Sequence, residues 1–261
     1  MVNLAVAGGT GLAGRAVVAE AIVAGHKVRS LSRHIPPADQ QVAGADYVRA
    51  DFRSGVGVAE ALDGVEVLIE TMDARSGAAL KALPGMSVAV LDSAARAGIR
   101  RCVLLTIINA RECAMNYYQV QAARALSYEK SEMPTTVVEA TQFHNLVAGI
   151  FSAASRMGII PAFRGVCFQA ISTADVAAVL VAEAGRGGQE KVSVRAGGPD
   201  VQTMHEMAQI WKSVTGSKAV ISQLPLPGSF GAFLRAGRNL IPDDVAGAVE
   251  FREWLAGHAA G

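Results

Sequence analysis

An apolar strand that runs straight into a glycine-rich turn constrains this chain more than any other feature. Val2–Ala7 reads as a short buried strand, and it leads directly into Gly8-Gly9-Thr10-Gly11-Leu12-Ala13-Gly14. The glycines at 8, 11 and 14 follow the pattern G-x-x-G-x-x-G, and Leu12–Ala24 reads as an Ala- and Val-rich helix stopped by Gly25. A turn this tight needs residues without a Cβ, and a diphosphate needs close backbone approach to the positive end of a helix. Strand, glycine loop and helix in that order give such a motif its meaning. They predict a dinucleotide turn in which Gly8, Thr10, Gly11, Leu12 and Gly14 line the cofactor.

Strands and helices alternate beyond this turn. Strands are expected at Lys27–Leu31, Asp46–Ala50, Val65–Ile69, Arg101–Thr106 and Thr135–Ala140. Helices are expected at Val58–Leu62, Ser87–Ala97 and Tyr117–Lys130. Short strands separated by helices predict an α/β fold, a Rossmann-type doubly wound parallel sheet with helices on both faces. After Gln142 the alternation breaks: Gly158–Phe168 is irregular and partly extended, and Leu224–Gly228 is proline-rich. Ser172–Ala184, Gln202–Thr215 and Asp243–Ala256 read as helices, with Ser172 and Asp175 spaced as a capping box. The expected division is a Rossmann core over 1–145 and a small substrate lobe over 146–261, from which strands can return to the core. In open α/β sheets the ligand crevice lies at the carboxyl ends of the strands.

Composition narrows the function. The 261 residues are 51% hydrophobic and carry a net charge of +1, which gives no basic face for nucleic acid and no patch for a membrane surface. No apolar run reaches the length of about 18 residues that a spanning helix needs. The cysteines Cys102, Cys113 and Cys167 show no metal-ligand spacing, so a reduced cytoplasmic protein without a metal site is expected. The expected partner is a small-molecule substrate, with the chain acting as a monomer or a homodimer.

The end of the second strand bears on the choice of nucleotide. An acid about 20 residues after the glycine loop usually holds the ribose of NAD. Here the segment reads Ser30-Leu31-Ser32-Arg33-His34, with no acid before Asp39. A guanidinium suits a 2′-phosphate, so Arg33 favours NADP(H) over NAD(H). Asp51, after the third strand, either accepts from the adenine amino group or caps the following turn. Phe52 and Thr71, beyond the third and fourth strands, are placed with the cofactor.

The glycine loop, Asp51-Phe52, Arg101–Ile107, Tyr117-Tyr118 and Ala140-Thr141-Gln142-Phe143-His144 resemble the NmrA-like group of atypical short-chain dehydrogenases. The likeness extends to Leu226-Pro227-Gly228, Leu234-Arg235-Ala236-Gly237 and Phe251–Leu255, and so covers nearly the whole chain. It implies a Rossmann domain, an NADP preference and reduction of a small organic substrate. The group also holds regulators that bind dinucleotide without redox chemistry.

The same resemblance implies a tyrosine acid, a lysine one helical turn later on the same face, and a Ser or Thr at the end of the fifth strand. Thr106 and Tyr117 fit, but the lysine position is Gln121, and no tyrosine has lysine at i+4. Bringing a phenol from about 10 to about 7 takes about 4 kcal/mol of differential stabilisation, and a neutral amide supplies no such charge. Gln121 can still hold the nicotinamide ribose, while proton transfer by Tyr117 is weakened. The chemistry that suits such a site is hydride transfer to an activated carbon, such as a conjugated alkene, an iminium or a quinone-like ring, on an aromatic or polycyclic metabolite. A non-redox cyclase, dehydratase or isomerase, or an NADP-sensing regulator, is the alternative on the same scaffold.

After the sixth strand, Phe143 is expected to pack on the nicotinamide and His144 to serve as a replacement acid. Asn109, Tyr118 and Gln142 are assigned to substrate. Glu70 and Glu139, near strand ends, are expected to be exposed charges.

Overall fold

The computed structural model describes residues 1–188 and 190–258. The chain crosses between two compact units. Among the described residues, the first comprises 1–106, 116–139, 176–188 and 190–194, and the second comprises 107–115, 140–175 and 195–258.

The first unit is organised on a seven-stranded sheet. Its strands are β1 (Asn3–Ala7), β2 (Lys27–Ser32), β3 (Asp46–Arg49), β4 (Val67–Glu70), β5 (Arg101–Ile107), β6 (Thr135–Ala140) and β9 (Val192–Ala196), in spatial order β3-β2-β1-β4-β5-β6-β9. β3 to β5 pair in parallel, with Ala7 opposite both Leu31 and Glu70. Every residue of β4 is buried, as in a parallel sheet covered on both faces. The strand order reverses between β1 and β4, the switch point at which such sheets open a crevice.

Helices α1 (Leu12–Val23), α2 (Val58–Leu62), α3 (Gly77–Arg96), α4 (Asn116–Lys130) and α6 (Thr173–Gly185) connect these strands. α1 buries Ala13, Gly14, Val17, Val18 and Ala21, small and branched residues that bring its axis close to β1 and β2. Val58, Leu62, Val90, Leu91, Leu104, Tyr128 and Val137 belong to one apolar core.

α3 begins ten residues before the helix expected at Ser87. Pro84 and Gly85 lie within it, and both oppose a helix interior. Burial of Leu80 and Leu83 on the same side as Val90 and Leu91 compensates for that local cost.

The second unit contains α5 (His144–Ser155), α7 (Met204–Thr215), α8 (Gly228–Arg235) and α9 (Phe251–His258). β7 (Ile159–Phe163) pairs in parallel with β11 (Val220–Leu224), and β8 (Cys167–Phe168) pairs antiparallel with β10 (Gln202–Thr203). α7 therefore starts two residues later than expected, with Thr203 and Glu206 forming a full capping box. The helix expected from Asp243 starts only at Phe251. Residues before it are drawn onto Gly197, whose N–H donates to the Asp244 carbonyl and whose carbonyl accepts from Ala246 and Gly247. Asp244 also pairs with Arg195 at 2.9 Å.

Candidate functional site

Three glycines of the loop are needed for three different reasons. Gly8 has φ +84°, and a Cβ there would lie 2.8 Å from the Met72 nitrogen. Gly14 lies under the loop, where a Cβ would overlap the Gly8 carbonyl and sit 2.8 Å from the Gly9 Cα. Gly11 is different: it is exposed, its φ is −75°, and a Cβ would meet only the Gly8 oxygen, at 3.3 Å. The fold demands a glycine less at position 11 than at 8 or 14, and an exposed position there leaves room for whatever approaches it.

Gly11 is also the N-cap of α1, with no side-chain cap bond and no acid in the first turn. The loop holds itself by Gly8 N–H to the Leu31 carbonyl at 3.0 Å and Gly11 N–H to the Gly8 carbonyl at 2.9 Å. The first-turn N–H groups of α1 are left to an anion. The cradle therefore fits a dinucleotide diphosphate. Thr10 is half-buried and Leu12 exposed at its mouth.

Arg33 is exposed just beyond β2. Asp51 is occupied locally: it accepts from the Arg53 N–H and the Ser54 hydroxyl, both at 2.9 Å. Burial works to raise its carboxyl, but these bonds and the Arg33 charge outweigh burial and hold it below the ordinary value. Of the two readings of Asp51, the structure displays the turn cap. Phe52 is buried in the core, and Thr71 bonds the Ala7 carbonyl at 3.1 Å, so both side chains are engaged in the fold.

At the carboxyl ends of β4 and β5 the first unit carries a polar network that sequence reasoning missed. Tyr117, Gln121, Arg124 and Tyr128 recur at i, i+4, i+7 and i+11 on α4, one face of the helix. The Tyr117 hydroxyl donates to Asp73 Oδ1 at 3.0 Å, and Gln121 Nε2 donates to the same oxygen at 3.2 Å. Arg124 Nη1 donates to Gln121 Oε1 at 2.7 Å. The Arg124 guanidinium then meets Glu70 at 2.8 Å and Ser87 at 3.1 Å. Tyr128 and Ser87 donate to the same carboxylate, at 2.7 and 2.8 Å.

Glu70 and Arg124 are 0% and 1% exposed at their side chains. The exposed charge expected at Glu70 is thus corrected to a fully buried ion pair. Three donors satisfy its carboxylate, which is the condition under which a buried charge is tolerated.

The network redefines Tyr117 and Gln121. Burial and the Asp73 carboxylate push the Tyr117 phenol well above its usual value, against smaller lowering effects of Gln121 and Arg124. Tyr117 is a bound donor to Asp73. The Gln121 amide accepts from Arg124 by its oxygen and donates to Asp73 by its nitrogen, so it is engaged within the network. Thr106 is buried, and its hydroxyl reaches the Gln121 carbonyl at 3.4 Å. The structure therefore brings Thr106, Tyr117 and Gln121 together. Tyr118 is buried with its ring edge-on to Tyr117 at 6.1 Å. The missed signal was the polar stripe on α4 read together with an acid ending an otherwise apolar β4.

The remaining candidates lie in the second unit. Asn109 has φ +51° and donates to the Arg238 carbonyl at 2.8 Å. Gln142 is buried and accepts from Asn239 at 3.3 Å. Phe143 is the half-buried N-cap residue of α5. His144 is 1% exposed, bonds the Val249 carbonyl through Nε2 at 2.9 Å, and packs against Phe251 and Trp254. Its burial, which also lowers its pKa, and these ring contacts make it a packing group in place of the replacement acid expected there.

Among the described residues no group of three or more His, Cys, Asp or Glu side chains is placed to hold a metal, and no helix is long and apolar enough to cross a membrane.

A family model described as NAD(P)H-binding matches residues 8–186. The photosystem II assembly factor Ycf39 of Guillardia theta is 25% identical over 238 residues, covering 86% of this chain and 74% of that protein. An NADPH-dependent quinone oxidoreductase from Escherichia coli, solved with NADPH, has a TM-score of 0.80 at 16% identity, over 98% of this chain and 99% of that chain. The triphenylmethane reductase of Citrobacter sp., solved with NADP(H), has a TM-score of 0.75 at 18% identity, over 98% and 99%. These structures share the fold.

Proposed function

The chain belongs to the NAD(P)H-binding family, and on that premise we propose that it is an NADPH-dependent reductase of a small conjugated organic acceptor. The carrying observation is that the Tyr117 hydroxyl is given to Asp73 while an amide, Gln121, stands at the lysine position. Such a site delivers a proton poorly, which disfavours simple ketones. It suits an acceptor whose conjugated system takes up the electron pair directly. Two structural neighbours, a quinone oxidoreductase and a triphenylmethane reductase, support the same class.

When bound, the nicotinamide supplies the hydride. The chain supplies binding and orientation. Gly8, Gly11 and the first turn of α1 would hold the diphosphate, and Arg33 the 2′-phosphate. Thr106 and Tyr117 would face the reacting end, with Arg124 and Glu70 keeping the Gln121 amide in one orientation.

Titration calorimetry with NADPH and NADH, followed by NADPH oxidation in the presence of menadione, tests this reading. Arg33→Asp should weaken NADPH by about tenfold, the loss of about 1.4 kcal/mol, and NADH by much less. NADPH binding without turnover of any conjugated acceptor would favour a binding role, as the name of the assembly-factor relative suggests.

A further inference from the structure

The electrostatics around Tyr117 name the kind of acceptor more closely. In the arrangement that Tyr117 and Thr106 resemble, a lysine ammonium stands beside the phenol. Here the buried cation on α4 is Arg124, which is paired with Glu70 at 2.8 Å and acts on the Tyr117 phenol less than Asp73 does. The charge in hydrogen-bond contact with Tyr117 is the carboxylate of Asp73, an exposed residue just past the end of β4. The sign of the site is therefore reversed. The half-buried ring of Tyr117, edge-on to Tyr118, lies next to that carboxylate. A carboxylate attracts a cation by its charge, and a neighbouring aromatic ring offers a face to which a cation is also attracted.

Resting on the reductase reading, we propose that the acceptor is a conjugated organic cation, of iminium, pyridinium or carbocation type, and that Asp73 is the residue that selects it. The chemistry balances without an acid. A hydride from bound NADPH forms one C–H bond at the electron-poor carbon, and its electron pair quenches the positive charge. NADP⁺ and a neutral product result, and no proton is taken from Tyr117. A protonated, Asp73-bound Tyr117 is then no handicap. A neutral quinone, by contrast, must find a proton after accepting the hydride.

The test uses the whole protein with N-methylacridinium as cationic acceptor and menadione as neutral acceptor. Asp73→Asn should lower the ratio of kcat/KM for acridinium over menadione by about tenfold, and Asp73→Glu should restore most of it. An unchanged ratio in a folded variant would overturn the proposal. Equilibrium binding of N-methylacridinium, followed by its fluorescence with NADP⁺ present, gives a readout without turnover. Affinity should fall about tenfold in Asp73→Asn, and wild-type affinity should fall with added salt. Binding that depends on Asp73 with no reduction of either acceptor would remove the reductase reading and leave the cation site standing. An effect confined to NADP⁺ affinity would assign the carboxylate to the oxidised nicotinamide and overturn the proposal.

Discussion

The glycine loop and the polar stripe of α4, both in the first unit, are built on opposite principles. The loop works by leaving groups unmet: Gly11 caps α1 with no side-chain bond, and the first-turn N–H groups await an anion. The stripe works by meeting every group: Glu70, Ser87, Gln121, Arg124 and Tyr128 are buried and bonded to one another. An open cradle can be filled and emptied with little reorganisation. A closed network holds one arrangement and ties the stability of the fold to the geometry of the site.

Removing one partner from the stripe should have the largest effect. Arg124→Ala leaves Glu70 as an uncompensated buried charge and should cost about 3–5 kcal/mol, read as a lowered urea midpoint. A loss under about 1 kcal/mol would show the pair to be dispensable and would break the contrast.

The loop offers a sharper comparison within itself. Gly14→Ala should destabilise by about 1–3 kcal/mol, because its methyl has no room beneath Gly8. Gly11→Ala should cost less, about 1 kcal/mol, because alanine is a poorer N-cap than glycine and its methyl meets only the Gly8 oxygen. Its effect should fall on NADPH affinity as well, weakened by about tenfold in calorimetry. Equal stability losses would mean that position 11 serves the fold as much as position 14.

Tyr117→Phe should lower kcat/KM for a conjugated acceptor by less than about tenfold, against the 10²–10⁴-fold expected on losing a general acid. Because the phenol is raised, the pH–rate profile should show no tyrosine ionisation in the neutral range.

The smallest effect is expected at His144. Its folded pKa is lowered by burial, so the unfolded chain takes up the proton first. The stabilisation is complete above about pH 6.5 and is lost as pH falls from there towards the folded value. Urea midpoints measured from pH 7.5 to pH 5 should decline less steeply in His144→Asn than in the wild type.

Much of the first unit was legible before any coordinates. β1 to β6 lie close to where the sequence predicts them, and α2 and α4 match closely. Local rules failed where long-range contacts intervened. α3 runs through Pro84 because its apolar face is buried, and residues 244–247 attach to Gly197 in place of forming a helix. Within the site, Gly8, Gly11 and Gly14 were readable because a turn, a helix start and a close backbone approach are written in consecutive residues. Asp73, Glu70 and Arg124 were not, because each takes its meaning from a partner 44 to 54 residues away.

The sequence alone determined the order of strands and helices, the dinucleotide turn and the missing lysine, all of which are local patterns or the identity of a single residue. Only the tertiary structure decided which charges surround the lysine's place. Buried charge is tolerated when its partners are in reach, and it is folding that puts Arg124 between Glu70 and Gln121 and Asp73 in hydrogen-bond contact with Tyr117.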